Sequence, residues 1–395
     1  MKKLVVCLLM LSLSLGLCAC GGQGQAVDEG GSELDRLCAK ATTVAFSDTG
    51  AEIKGPGARF EAGILTISTG GAYRLSGSLS QGQVIVDTGE EKQDVQLILD
   101  GVSIRCAEDA ALSIRRAGDT DIYAMTGTES RLVSGTEREL VADPNAAGAA
   151  LYAEDDIDFH GPGTLVVEGY INNGIGCKND IDILGGSCTI IAVNNGLKGN
   201  QSVEVSGGSL SIECGNDGIK TSDAKKEGKG SICVSGGDVT VQAGDQGLCA
   251  VKNIEISGGQ LEVRAQADGL KAGDKTAPGK VKLSGGDSRI VSGNDAVDAA
   301  VLEVSGGRLM ALGRDKDIKP TVEASIPCYA GKLKLPEGQA FALCDAKGES
   351  VCEFDPGREI KTAFLAVDAF AHGESYALMT GPAGSLKQTG TITLP

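Results

Sequence analysis

A Gly-Gly pair recurs at residues 185, 207, 236, 258, 285 and 306, and the residues around each pair keep one common register. The spacings are 22, 29, 22, 27 and 21. Four residues before the first glycine stand Ile181, Val203, Ile232, Ile254, Val281 and Leu302. Two before it stand Ile183, Val205, Val234, Ile256, Leu283 and Val304. Further apolar columns follow, three after (Cys188, Leu210, Val239, Leu261, Ser288, Leu309), five after (Ile190 to Ala311) and twelve after (Leu197, Ile219, Leu248, Leu270, Val297, Ile318). These columns alternate with polar ones at period two, which is strand patterning.

Each unit therefore holds three short strands, separated by Gly-Gly and by an Asn/Asp-Gly turn. A unit of about 22 residues with no helical period is one coil of a parallel β-helix. The expected fold is all-β, a right-handed parallel β-helix with a small β-rich C-terminal cap. Stacked aliphatic ladders bury a continuous core without aromatic residues, which fits a chain with no Trp and only 13 Phe plus Tyr. Regular coils are expected over 151–320, with a less regular first coil at Ile157 to Ile175. Strand alternation without the strict period, as in Val84-Val86, Leu97-Leu99 and Leu112-Ile114, extends the solenoid back to about residue 43 as irregular coils and a cap. After Pro320 the register stops, and 321–395 reads as a cap of short strands, including Phe341-Leu343, Val351-Phe354 and Tyr376-Leu378.

Composition excludes several functions. Acidic residues outnumber basic ones 53 to 36, a net charge of −17, so no nucleic-acid partner is expected. A Ser-His-Asp hydrolase would have to use His160 or His372, and neither lies near a G-x-S-x-G elbow. Glycine at 58 residues without a G-X-Y period is not collagen.

Residues 1–19 read as an export signal, with Lys2 and Lys3 before an apolar run from Leu4 to Leu17 that is short for a membrane span. The run ends Leu17-Cys18-Ala19-Cys20, which resembles a bacterial lipobox and makes Cys20 the expected lipidation site. Residues 20–42 then read as a flexible, Gly-rich tether. The expected location is extracytoplasmic, held to the membrane by lipid alone, as a monomer.

The chemistry lies in the polar columns. Ten residues after each first glycine stand Asn195, Asp217, Gln246, Asp268, Asp295 and Lys316; one position earlier stand Asn194, Asn216, Asp245, Ala267, Asn294 and Asp315. Thirteen after it stand Lys198, Lys220, Cys249, Lys271, Asp298 and Lys319. In a β-helix equal register means one column in space, so Asp217, Asp245, Asp268 and Asp295 are expected along one edge, interleaved with Asn194, Asn195, Asn216 and Asn294. Carboxylates about 5 Å apart repel by roughly 3 kcal/mol at an effective dielectric of 20, and something must offset this. Ca²⁺ takes carboxylate and amide oxygens and is one answer. The Lys column is a second. The third is that Asn and Asp serve the turn itself, the reading taken for Asn173-Gly174 and Asn195-Gly196. Calcium is carried forward for the aspartates. Two coils are longer, with the extra residues in Thr221–Gly230 and Ala272–Gly279, directly beside this column; insertions confined to one edge mark a binding face. The scattered cysteines leave either disulfides or an anaerobic setting open, with Cys344 and Cys352 placed to bridge a hairpin.

The run Ala150-Leu151-Tyr152-Ala153-Glu154-Asp155-Asp156-Ile157, then Gly161-Pro162-Gly163-Thr164-Leu165, then Asn172-Asn173-Gly174-Ile175, resembles the bacterial carbohydrate-binding domain-containing family. The Asn-Asp-Gly-Ile-Lys coil ending at Lys220 and the Ala-Asp-Gly-Leu-Lys coil ending at Lys271 match the family's repeat. The resemblance implies a secreted, calcium-binding β-helix related in shape to pectate lyases and a polysaccharide partner of the polygalacturonate kind. By matching columns it implies Asp217 and Asp268 as calcium ligands and Lys220 and Lys271 as contacts to sugar acids, with Lys198 in the same column. Gln246 and Cys249 depart from the pattern, as does Asp295-Ala296-Val297-Asp298. Three function classes follow: a polysaccharide-binding lipoprotein; a calcium-dependent polysaccharide lyase with Lys220 or Lys271 as base; and a structural envelope protein or adhesin.

Overall fold

The computed structural model describes residues 30–48, 50–135, 148–223 and 227–395. The export signal, the lipobox and Cys20 lie outside the described residues. The period-two columns become three parallel faces. The first stacks Ile157–His160, Asp180–Ile183, Ser202–Val205, Ile232–Val234 and Asn253–Ile256. The second stacks Thr164–Gly169, Ser187–Ala192, Ser209–Cys214, Asp238–Ala243 and Gln260–Ala265. The third is an eleven-stranded sheet containing Ala149–Ala153, Asn173–Cys177, Leu197–Gly199, Ile219–Lys220, Leu248–Ala250, Leu270–Ala272 and Val297–Asp298. This is the right-handed parallel β-helix expected from the repeat. The register is the one read from the columns: Val203 pairs with Ile232, Ile212 with Val241, Ile219 with Leu248.

One continuous hydrophobic cluster runs through the coils from Val44 to Ala366. The columns four and two residues before each Gly-Gly, and those three and five after, are buried throughout. The twelve-after column is buried from Leu197 to Val297 but fails at its last member, because Ile318 is 38% exposed. The third face ends with Val297–Asp298, so no strand continues under Ile318.

The Gly-Gly turn has two separate causes. The second glycine has a left-handed backbone, with φ of 76° at Gly237 and 73° at Gly259. The first glycine touches the preceding coil, and a Cβ on Gly236 would stand 2.2 Å from the Ser206 carbonyl oxygen. Only glycine meets both demands.

The early region is more regular than its sequence. Thr42–Ser47 already pairs in parallel with Gly71–Leu79, which pairs with Val95–Cys106. Residues Gly30–Lys40 form an α-helix, which corrects the expected tether through residue 42. Its Leu34 is buried with Ile98 and Tyr123, and that contact anchors the segment. The solenoid also outlasts Pro320 by one strand, Thr321–Ala324. Beyond it, Ile360–Ala366 runs antiparallel to the last long strand, Val301–Gly313. A four-stranded antiparallel sheet then forms the cap, ordered Ser350–Phe354, Ala340–Cys344, Ser375–Gly381 and Lys387–Thr393. Cys352 lies opposite Leu343 and is buried, whereas the neighbouring Cys344 faces the other side. Cys344 and Cys352 do not form the hairpin bridge that their placement allows; both are free thiols.

Candidate functional site

The Asx column sits at the corner where the second face turns into the third. The structure buries it rather than leaving it on an open edge: Asp217 is 1% exposed, Asp295 4% and Asp268 6%. Four members, Asn173, Asn195, Asp217 and Asp268, each spend one side-chain oxygen on the backbone of the next coil. Asn173 Oδ1 accepts the Asn195 N–H (3.1 Å), Asn195 Oδ1 the Asp217 N–H (3.3 Å), Asp217 Oδ1 the Gln246 N–H (3.2 Å) and Asp268 Oδ1 the Asp295 N–H (3.3 Å). A turn amide left unpaired there would carry a desolvation cost of about 1–3 kcal/mol. The turn role assigned to Asn173 and Asn195 therefore extends to the aspartates. Beside it Asn172, Asn194 and Asn216 form an amide ladder, with side-chain bonds of 2.8 and 3.0 Å.

The second oxygen of each aspartate meets the Lys column. Lys220 Nζ lies 2.6 Å from Asp217 Oδ2, Lys271 Nζ 3.6 Å from Asp268 Oδ2, and Lys319 Nζ 2.6 Å from Asp295 Oδ2. Lysine thus neutralises the column. Burial alone would lower the pKa of Lys220, but the hydrogen bond and charge of Asp217 outweigh it and hold the ammonium above its ordinary value. Lys198 differs. Its coil carries Asn195 in place of an aspartate, and it makes no ion pair among the described residues. Burial first, then the charge of Lys220, lowers its pKa.

The metal-ligand candidates separate. Asp217 has both oxygens engaged, by the Gln246 amide and by Lys220. Asp245 receives the Gln246 side-chain amide at 3.3 Å, Asn216 belongs to the amide ladder, and Asn294 is exposed. No three carboxylates converge at Asp217 or Asp245 among the described residues. Asp268, Asp295 and Asp298 do converge, each offering an oxygen within 4.8 Å of the others. Burial raises the carboxyl pKa of Asp268 and Asp295, Lys319 partly countering this at Asp295. Lys271 and Lys319 both reach Asp298, at 3.8 and 3.3 Å. Three carboxylates against two ammoniums leave a local negative charge that suits Ca²⁺.

The sequence columns missed Asp298 as a carboxylate partner, since it stood in the lysine register. They also missed an outward acidic row on the first face, Asp121, Asp158, Asp182 and Glu204, on consecutive rungs. Its signal was present three residues before the first two Gly-Gly pairs, at Asp182 and Glu204. His160 joins it, 2.9 Å from Asp121 and stacked on Tyr123.

The insertion Ala272–Gly279 forms one wall of a pocket of about 460 Å³ against this cluster, lined by Lys271, Lys275, Asp298 and Lys319 among others. Asp274 holds the loop closed by accepting the N–H groups of Thr276 and Ala277. The lengthened coil, Asp298 of the carboxylate cluster and three lysines therefore line one pocket. The other insertion begins at the buried Thr221, whose hydroxyl donates to the Gly230 carbonyl at 3.1 Å. Among the described residues, no helix is long and apolar enough to cross a membrane.

A family model of carbohydrate-binding domain-containing proteins matches residues 61–311 and 251–331. A protein of that description from Acetivibrio thermocellus is 34% identical over 193 residues, covering 48% of this chain and 65% of the relative. The chain thus spans slightly less than two thirds of that relative's length. A solved polysaccharide lyase-like protein from C. thermocellum, a gadolinium derivative, aligns with a TM-score of 0.52 at 30% identity, covering 68% of this chain and all of that one.

Proposed function

The chain belongs to the carbohydrate-binding domain-containing protein family, and from that premise we propose that it is a cell-envelope lipoprotein that binds acidic, polygalacturonate-like polysaccharide through Ca²⁺ and lysine. The observation that carries this reading is the Asp268–Asp295–Asp298 cluster beside a lysine-lined pocket. An acidic protein repels an acidic glycan unless a cation lies between them. Ca²⁺ held by these three carboxylates would supply the positive charge that meets a sugar carboxylate. Lys271, Lys275 and Lys319 orient that carboxylate by direct pairing. The Leu17-Cys18-Ala19-Cys20 run supports lipid attachment at Cys20 outside the cell.

Binding to polygalacturonate should weaken at least tenfold in excess chelator and recover on adding Ca²⁺. Undiminished binding in chelator contradicts the calcium mechanism.

A second reading, a β-eliminating polysaccharide lyase, is favoured by one observation: Lys198 has a lowered pKa while Lys220 does not. A base must be unprotonated near its working pH; burial shifts Lys198 in that direction, and Asp217 shifts Lys220 away from it. Prolonged incubation with polygalacturonate should then give the ultraviolet absorbance of unsaturated uronides; its absence sinks the reading.

A further inference from the structure

The outward side chains of the third face form a single row, one residue per coil: Tyr152, Gly176, Lys198, Lys220, Cys249, Lys271. Lys220 and Lys271 spend their charge on the aspartate three residues earlier. Lys198 does not, because the residue three before it is Asn195, whose side chain is committed to the ladder. On the other side of Lys198 the next rung, Gly176, is buried, with Ala149, Gly148 and the Tyr152 ring packed around it. Gly176 carries no side chain, and two rungs away, roughly 10 Å at the interstrand spacing, stands the half-buried ring of Tyr152. That ring is held in place: its hydroxyl donates to Glu154 at 3.0 Å, and Glu154 pairs with Lys178 at 2.6 Å. The ring edge lies 3.8 Å from where a Gly176 Cβ would project.

We infer that Tyr152 and Lys198, on either side of Gly176, form a metal-independent subsite for one uronic-acid unit, the tyrosine ring serving as platform for the sugar and the uncompensated Lys198 ammonium as partner of its carboxylate. The inference rests on the proposed binding of acidic polysaccharide and adds to it a second contact, several coils from the carboxylate cluster. It gives the tryptophan-free chain an aromatic surface beside a free cation. A carboxylate bound by Lys198 gains a charge-assisted hydrogen bond without having to displace a protein carboxylate. Engaging Lys220 would instead strip the buried Asp217 of its partner, which is costly.

The test is calorimetric titration of an oligogalacturonide and its methyl ester into the full chain, with excess chelator and with Ca²⁺. In chelator the wild type should retain weak binding of the acid. Lys198→Met, which keeps the apolar stem, should reduce that binding at least tenfold, with an unchanged melting temperature. Lys198→Arg should restore most of it. Tyr152→Ala should weaken the acid and the ester alike, whereas Lys198→Met should leave the ester unaffected. Wild-type affinity in Lys198→Met under chelator overturns the subsite. Binding with Ca²⁺ but none in chelator also overturns it, while leaving the calcium reading intact. No binding of the acid in either condition removes both.

Discussion

At the scale of the residue, the polar column does two jobs that its spelling does not separate. Asp217 accepts an amide from the next coil with one oxygen and an ammonium with the other. Replacing it by Asn keeps an amide acceptor, whereas replacing it by Ala orphans both the Gln246 N–H and Lys220. Urea denaturation should therefore show Asp217→Ala less stable than Asp217→Asn by about 1–2 kcal/mol. Equal losses would mean that the ladder contributes nothing. Lys220→Met should cost about 2–3 kcal/mol, because it leaves a buried carboxylate unpaired beneath a half-exposed partner. The column itself was readable from the register of Asp217, Asp268 and Asp295. Which oxygen meets which partner was not, because register fixes a rung and not the inward tilt of a side chain at a corner.

The repeat unit explains why glycine punctuates the coil. Gly237 and Gly228 share a left-handed backbone, with φ of 76° and 77°. A Cβ on Gly228 meets nothing within 4 Å, while one on Gly237 would stand 2.7 Å from the Gly208 carbonyl oxygen. Gly228→Ala should then cost about 1–2 kcal/mol for backbone conformation alone. Gly237→Ala should cost about 1–3 kcal/mol more for the displaced coil. Thermal melts of the two variants separate the effects, and equal shifts would contradict the close-approach account. Sequence made this element legible because both demands fall on adjacent residues in successive coils from Gly207-Gly208 to Gly306-Gly307. It left the early coils obscure, since Gly71–Leu79 and Val95–Cys106 run through the bend as long strands without the Gly-Gly mark. The α-helix at Gly30–Lys40 was hidden by glycines on its N-terminal side, although Leu34 and Leu37 already sat three apart.

Across the whole molecule, stacking equal registers concentrates like charge, and the acidic row on the first face shows the consequence. Burial, followed by the charges of Asp158, Glu204, Asp180 and Asp156, pushes the Asp182 carboxyl up to about 6; Lys229 pairs with Asp180 beside it. The folded-state value lies above the ordinary 3.8. Its stabilising contribution is therefore complete below about 3.8 and lost as pH rises through about 6. Asp182→Asn should raise the melting temperature at pH 7.5 by roughly 2–4 °C, about 1 kcal/mol after allowance for solvent screening. At pH 4 the gain should vanish. A gain of the same size at both values would rule out charge repulsion as its cause.

The same stacking brings Asp268, Asp295 and Asp298 together beside the Ala272–Gly279 loop. Titration of polygalacturonate into the wild type and into an Asp268→Asn/Asp298→Asn variant, each with and without Ca²⁺, tests the central claim most directly. The account predicts that Ca²⁺ tightens wild-type binding at least tenfold and leaves the variant unchanged. Equal enhancement in both proteins, or none in the wild type, would contradict it.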